Sequence, residues 1–183
     1  MTAFAGAVLC GGASRRMGRD KALLSVDGRA LALRVADTLR AAGADPVLAV
    51  GGDLAALAAL GLPGIPDQEP GAGPLTGILT ALAQMAAPVT FVAACDLVAP
   101  SAEAVTATLC ALGDADVAVP LVDGRRQWMH SAWRAGAAAP LAAAFGAGER
   151  AVHAAVAAAG LRVVDVALPA AAVADADTPA DLA

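Results

Sequence analysis

Short apolar runs and alanine-rich stretches of helical length alternate along this chain, and any fold it adopts has to satisfy that alternation. Ala3–Leu9, Pro46–Val50, Pro88–Ala94, Asp116–Leu121, Gln127–Trp133 and Leu161–Val166 read as strands. Leu31–Ala42, Leu54–Leu60, Leu75–Ala86, Ala137–Phe145 and Ala151–Ala159 read as helices, with Gly43 and Gly61 as stops. Ser101 is a natural N-cap for another helix, Asp123-Gly124 marks a turn, and Pro179 opens a last short helix. Strand and helix in regular succession predict an α/β fold, a mostly parallel central sheet with helices on both faces. Composition supports it. The chain is 58% hydrophobic but only 3% aromatic, with no tyrosine, so Ala, Val and Leu must fill the core. Such small side chains suit helices laid on a buried parallel sheet. A length of 183 residues predicts a single domain spanning 1–183.

The net charge of -5 argues against nucleic acid as a partner, because phosphate backbones select basic surfaces. Cys10, Cys95 and Cys110 form no CxxC pair and are odd in number, which disfavours a disulfide framework or a zinc site. No run of about 18 apolar residues is present and the start lacks a basic n-region. A cytoplasmic protein without membrane attachment is expected.

The chemistry concentrates at Leu9-Cys10-Gly11-Gly12-Ala13-Ser14-Arg15-Arg16-Met17-Gly18-Arg19-Asp20-Lys21, directly after the first strand. Gly11 and Gly12 allow the backbone to approach a ligand closely. Successive N–H groups in such a turn cradle phosphate oxygens. Arg16 and Lys21 add positive charge for a triphosphate and a departing pyrophosphate. The string is neither GxxxxGK[ST] nor GxGxxG. An ordinary glycine turn is the alternative for Gly11-Gly12 taken alone.

Ligands of parallel sheets bind beyond the carboxyl ends of the strands. The loops at 10–21, 67–77 and 95–100 all follow strands and should share that rim. Asp96 is placed there to hold Mg²⁺, which takes carboxylates, waters and substrate phosphates, or to cap the following helix. Asp67 suits a nucleotide-facing role or a turn cap. Asp175 and Asp177, the latter in particular, offer a second oxygen for the metal or an N-cap for the last helix. Gly73–Gly77 is a loop able to cover a base or ribose, or a plain helix entry with Pro74 in the first turn. Trp128 and Trp133 suit a core, and Trp128 also suits a flat substrate.

The thirteen-residue string resembles the L-A-G-G-x-S-x-R-M-G-x-D-K signature of the molybdenum cofactor guanylyltransferases, part of a nucleotidyltransferase superfamily with a Rossmann-like domain. Gly73-Pro74-Leu75-Thr76-Gly77 resembles its G-P-L-x-G segment, Cys95-Asp96 its C-D pair, Gly148-Glu149-Arg150 a G-E-R segment and Asp175–Pro179 its closing N-x-N-T-P. The resemblance implies transfer of GMP from GTP to the phosphate of molybdopterin, with pyrophosphate released. It implies Mg²⁺ as cofactor, GTP and molybdopterin as ligands, and transient contact with molybdoenzymes or cofactor chaperones. The residues implied at the nucleotide are Leu9, Cys10, Gly11, Gly12, Ser14, Lys21, Asp67, Pro74, Leu75, Gly77 and Asp96. Arg16, Lys21 and Asp96 carry the catalysis, and Asp96 and Asp177 the metal. Arg125, Arg126, Gln127, His130, Glu149 and Arg150 are the candidates for the acceptor, a phosphate on a flat polar ring; a solvated edge is their other reading. Related cytidylyltransferases carry L-A-A-G where this chain has Leu9-Cys10-Gly11-Gly12, so Gly11 favours guanine, while the closing Asp-x-Asp-Thr-Pro resembles the cytidylyl branch. The alternatives are a CTP-using enzyme or a non-catalytic GTP-binding protein that delivers cofactor. Two departures stand out: Cys10 replaces an alanine, and Val98 replaces a proline two residues after the aspartate.

Overall fold

The structure is a computed structural model, and it describes residues 3–11 and 20–176. Its centre is an eight-stranded sheet made of β1 (Phe4–Leu9), β4 (Val47–Val50), β5 (Gly64–Ile65), β6 (Val89–Ala94), β7 (Val117–Val122), β8 (Arg125–Arg126), β9 (His130–Arg134) and β10 (Val163–Val166). The order across the sheet is β10-β7-β9-β6-β1-β4-β5, with β8 paired to β7. β1 runs parallel to both β4 and β6, β4 to β5, and β7 to β10. β9 is antiparallel to β6 and β7, so the sheet is mixed but mostly parallel. β8 is antiparallel to β7 as well, and such reversals are invisible to periodicity, because direction leaves no mark on side-chain alternation.

Alternation along β1 divides the core. Phe4, Val8 and Cys10 face one layer with α1 (Leu31–Ala41), α2 (Leu54–Ala59) and α4 (Ala102–Ala111). Ala5, Ala7 and Leu9 face the other, with α3 (Pro74–Gln84), α5 (Ala138–Gly146) and α6 (Val152–Ala158). Helices therefore cover both faces, as expected. Small residues let them sit close: a Cβ on Gly6 would stand 3.1 Å from the Leu39 side chain and 3.2 Å from Val47. Trp133 is fully buried and donates its indole N–H to Ser131 Oγ (2.6 Å), so the largest core side chain keeps its polar atom satisfied.

The expected boundaries hold to within a few residues. Ser101 caps α4 by accepting the Ala104 N–H (3.3 Å). Asp123 and Gly124 both take positive φ, 49° and 73°, to turn β7 into β8. One element lay outside the expectations. The two-stranded ribbon β2 (Ser25–Val26) and β3 (Arg29–Ala30) turns at Asp27-Gly28, with φ 52° and 77°, and leads directly into α1. The expected last helix at Pro179 lies outside the described residues. No helix among the described residues is long and apolar enough to cross a membrane.

Candidate nucleotide site

The parallel register places the ends of β1, β4, β5 and β6 along one rim, and three loops meet there. After β1, the N–H groups of Cys10 and Gly11 both donate to Val50 O (2.9 and 3.1 Å), which ties the glycine turn to the end of β4. Contact is close enough to restrict residue choice. A Cβ on Gly51, whose φ is +71°, would stand 3.0 Å from Gly11 Cα, and one on Gly52 would stand 2.9 Å from Cys10 Cβ. Gly11 itself is exposed, and a Cβ there would find only ordinary contacts, the nearest Asp67 Oδ2 at 3.6 Å. Internal packing therefore does not demand glycine at 11. Gly12, Ser14 and Arg16 lie outside the described residues.

The chain re-enters at Asp20, whose Oδ1 accepts the Ala22 N–H and whose Oδ2 accepts the Asp53 N–H. The short 3-10 turn Lys21–Leu23 aims Lys21 along the rim to β6. Its Nζ donates to Asp96 Oδ2 (3.1 Å) and to Ala176 O (2.7 Å). Both side chains of the pair are about one-fifth exposed, 20% and 19%, so the ion pair is shielded yet open to a ligand. Asp96 stands two residues past β6, as expected.

Sequence reasoning placed Asp175 near the metal but missed how the segment arrives. Residues 174–176 cross the loop after β6 through backbone bonds: Val98 N–H donates to Ala174 O (2.8 Å) and Ala176 N–H to Asp96 O (2.9 Å). A single antiparallel bridge joins Leu97 and Asp175. The Val98 departure acquires a reason here, since a proline has no N–H to make that bond. Arg34 donates to Val98 O (3.1 Å), so α1 also braces the loop. Asp177 lies outside the described residues.

Asp67 sits at the end of β5 and acts as a local clamp. It accepts from the Glu69 N–H (3.2 Å) and from the Thr76 and Thr80 hydroxyls (both 3.4 Å), binding its loop to α3 while one oxygen faces Gly11. Two expected nucleotide residues pack against the core. The Leu75 side chain is fully buried under the sheet, and Gly77 is buried against Leu9, where a Cβ would meet Leu9 Cδ2 at 3.2 Å. Leu75 joins the core cluster that also holds Leu9. Leu9 is likewise a core side chain, whereas Pro74, at the start of α3, is exposed.

The expected acceptor cluster is split. Arg125 and Arg126 are exposed on β8, beyond the rim. Arg126 already grips Asp165 through Nε (2.6 Å) and Nη2 (3.2 Å), which raises its pKa, and it lies 5.8 Å from the half-buried Trp128 ring. Gln127 is partly exposed beside it. Glu149 is partly exposed, while Arg150 caps α5 by donating to Phe145 O (2.8 Å) with its guanidinium 4.1 Å above the Phe145 ring. His130 is a correction. It is 1% exposed, shares a face of β9 with Ala132, and packs edge-on against Phe91 at 4.9 Å. Neither ring nitrogen has a hydrogen-bond partner among the described residues.

Burial pushes the His130 pKa from the ordinary 6.5 down to about 4, with the nearby Ala104 backbone opposing weakly. The linkage sign follows. As pH falls below 6.5 the unfolded chain takes up a proton that the folded chain refuses until about 4, so stability falls across that window and is complete above it. The expected loss is about 3 kcal/mol in total. Urea unfolding at pH 7.5 and pH 5 should show a steep loss in the native chain and a much flatter one in His130→Phe. Equal slopes would contradict this placement of the ring.

Cys10 and Cys95 lie side by side at the ends of β1 and β6. The hydrogen bond between their thiols, then burial, then the charges of Cys10, Asp96 and Asp20 hold the Cys95 pKa well above its ordinary value.

Among the described residues no group of three or more His, Cys, Asp or Glu side chains could hold a metal ion. Magnesium does not require one, since it commonly uses one or two carboxylates with substrate phosphates and water. Asp96, at an open rim beside Lys21, fits that donor set.

A helix-covered, mostly parallel sheet, with a glycine turn after its first strand facing a Lys–Asp pair after a neighbouring one, is the frame of an α/β nucleotidyltransferase. The family described as MobA-like NTP transferase domain matches residues 6–178, and the chain belongs to that family. A probable molybdenum cofactor guanylyltransferase of Opitutus terrae is 48% identical over 86 residues, 47% of this chain and 43% of that protein. The matched stretch thus spans less than half of that curated relative. The crystal structure of molybdopterin-guanine dinucleotide biosynthesis protein A from Archaeoglobus fulgidus aligns with a TM-score of 0.75 and 25% identity, over 97% of this chain and 94% of that one. The 2-C-methyl-D-erythritol 4-phosphate cytidylyltransferase of Thermus thermophilus shares the fold, at a TM-score of 0.72 and 21% identity over 100% of this chain and 96% of that one.

Proposed function

We propose that this protein transfers GMP from GTP to the terminal phosphate of molybdopterin, releasing pyrophosphate and forming the guanine dinucleotide form of the molybdenum cofactor. The observation that carries the reading is the Lys21–Asp96 pair, 3.1 Å apart at the rim onto which the Gly11 turn opens. A binding module needs the cation for phosphate; an enzyme also needs a carboxylate beside it for a metal. The names of the Opitutus and Archaeoglobus relatives support the same acceptor and base.

In this mechanism the turn after β1 receives the triphosphate on its backbone N–H groups. Lys21 turns from Asp96 to the phosphates and, with Arg16, stabilises charge on the departing pyrophosphate. Asp96 would hold Mg²⁺, joined by Asp177. When bound, the ion neutralises phosphate charge and orients the α-phosphate. No general base is needed, because the attacking phosphate is already ionised. The protein's work is to align two anions and offset their repulsion. Arg125, Gln127 and the Trp128 ring form the edge to which the acceptor docks, with Glu149 and Arg150 as further candidates at the end of α5. The open space at Gly11 supports a purine, since nothing inside the protein requires glycine there.

Pyrophosphate release with molybdopterin, Mg²⁺ and either nucleotide tests this. GTP should saturate at concentrations at least about tenfold below CTP, a difference of about 1.4 kcal/mol in binding. Preference for CTP would reassign the base. GTP binding without pyrophosphate release, in an assay where a known transferase is active, would leave only a binding protein.

A further inference from the structure

The proposed mechanism gives no role to the two thiols beneath it. Cys10 and Cys95 follow directly on Leu9 and Ala94, the last paired residues of the β1–β6 ladder. Strand alternation puts both side chains on the same face of the sheet, in the layer covered by α1 and α4. The Cys95 N–H donates to Leu9 O (3.2 Å), so the two backbones are still laterally paired where the side chains meet. Adjacent strands lie about 4.8 Å apart, within the Cα separation a disulfide accepts. Each thiol is nearly buried, with 7% and 8% of the residue exposed, and both stand at the rim, next to Gly11 on one side and Asp96 on the other. Cys110, by contrast, is exposed on α4.

We propose that Cys10 and Cys95 are a reversible dithiol–disulfide site, closed by a peroxide, and that closure disables the nucleotide site. The reaction balances without a resident cofactor. One thiolate attacks a peroxide oxygen, the O–O bond breaks, and water or an alcohol departs to leave a sulfenic acid. The second thiol displaces water from that sulfur, forming the S–S bond. Two sulfurs lose one electron each, and the peroxide takes both. A thiol reductant reverses the step.

The mechanical consequence follows from what holds each cysteine. A disulfide fixes its two sulfurs about 2 Å apart at a set dihedral, so closure imposes its own geometry on the ends of β1 and β6. Cys10 cannot follow freely, because its N–H is tied to Val50 O (2.9 Å) on the β4 side. The displacement passes to Gly11 and Asp96, the neighbours in sequence. Misplacement by about 1 Å at a reacting centre costs roughly 100-fold in rate. The coupling to nucleotide rests on the function proposed above, but the cross-link does not.

The test uses the full chain carrying Cys110→Ser, which removes the exposed thiol. Hydrogen peroxide treatment and digestion without reductant should yield a Cys10 peptide joined to a Cys95 peptide, separable by dithiothreitol. Mg²⁺–GTP binding, followed on the same sample, should fall at least about tenfold on oxidation and return on reduction. Cys10→Ala in the same background should form no cross-link and should show the same GTP affinity before and after peroxide, whatever that affinity is. Recovery of Cys10 and Cys95 as separately alkylatable or over-oxidised residues would overturn the site. A cross-link that leaves GTP binding unchanged would overturn the coupling. Reduced protein that binds no GTP would instead overturn the proposed function, and the cross-link result would still be read independently.

Discussion

Asp96→Asn is expected to abolish turnover while leaving the fold in place. The substitution keeps the shape and one oxygen that can still accept from Lys21, but removes the charge a metal requires. Loss of an electrostatic element of this kind costs about 100- to 1,000-fold in kcat. The stability change should be about 1 kcal/mol, because the ion pair is partly solvated at the rim. GTP measured without metal should bind the variant as well as it binds the native chain, or better, since one negative charge has left the triphosphate site. Metal-dependent tightening should disappear. Steady-state pyrophosphate release, paired with GTP titrations with and without Mg²⁺, checks both halves. Turnover within threefold of native would remove Asp96 from the chemistry.

Lys21→Met is expected to lose roughly 100-fold in kcat/KM for GTP, expressed in KM as well as kcat. Among the described residues Lys21 donates to Asp96 Oδ2 and to Ala176 O before any ligand arrives. It neutralises the carboxylate and holds the 174–176 segment across the loop after β6. Removing it should therefore have a second, structural effect that a phosphate contact alone would not produce. Amide exchange at Val98 and Ala176 should accelerate, because their bonds to Ala174 O and Asp96 O depend on that segment staying in place. Arginine should not rescue it. A planar fork on a longer stem does not reproduce a compact ammonium between a carboxylate and a carbonyl. Loss of activity with unchanged exchange would mean that the lysine serves the ligand only.

These residues also show what could be read in advance. The rim was legible because strand ends are legible: an apolar run closed by Gly11, by Asp67 or by Cys95-Asp96 states both the element and the side on which it opens. Helix faces were less so. Leu75 and Gly77 lie in a motif that suggests ligand contact, yet the Leu75 side chain joins the core and Gly77 packs against Leu9. His130 sat in a polar run, and only its alternation with Ala132, opposite Ser131 and Trp133, would have revealed that it faces the core. The crossing of 174–176 over Leu97 and Val98 had no sequence signal. It is made of backbone N–H and C=O groups, which every residue but proline supplies, so pairing between segments about 75 positions apart leaves no pattern. The Asp27-Gly28 turn was a readable hairpin signal that was passed over, and it shapes the approach from Lys21 to α1.

The function proposed for this chain depends on phosphates settling against the turn that follows β1, between Lys21 and Asp96. A crystal structure of the protein with GTP and Mg²⁺ measures that directly. The expected result is a triphosphate on the backbone N–H groups around Gly11, Lys21 within hydrogen-bond reach of a phosphate oxygen, and the ion on Asp96. A nucleotide seated elsewhere, with Lys21 still bonded to Asp96 and Ala176, would contradict it.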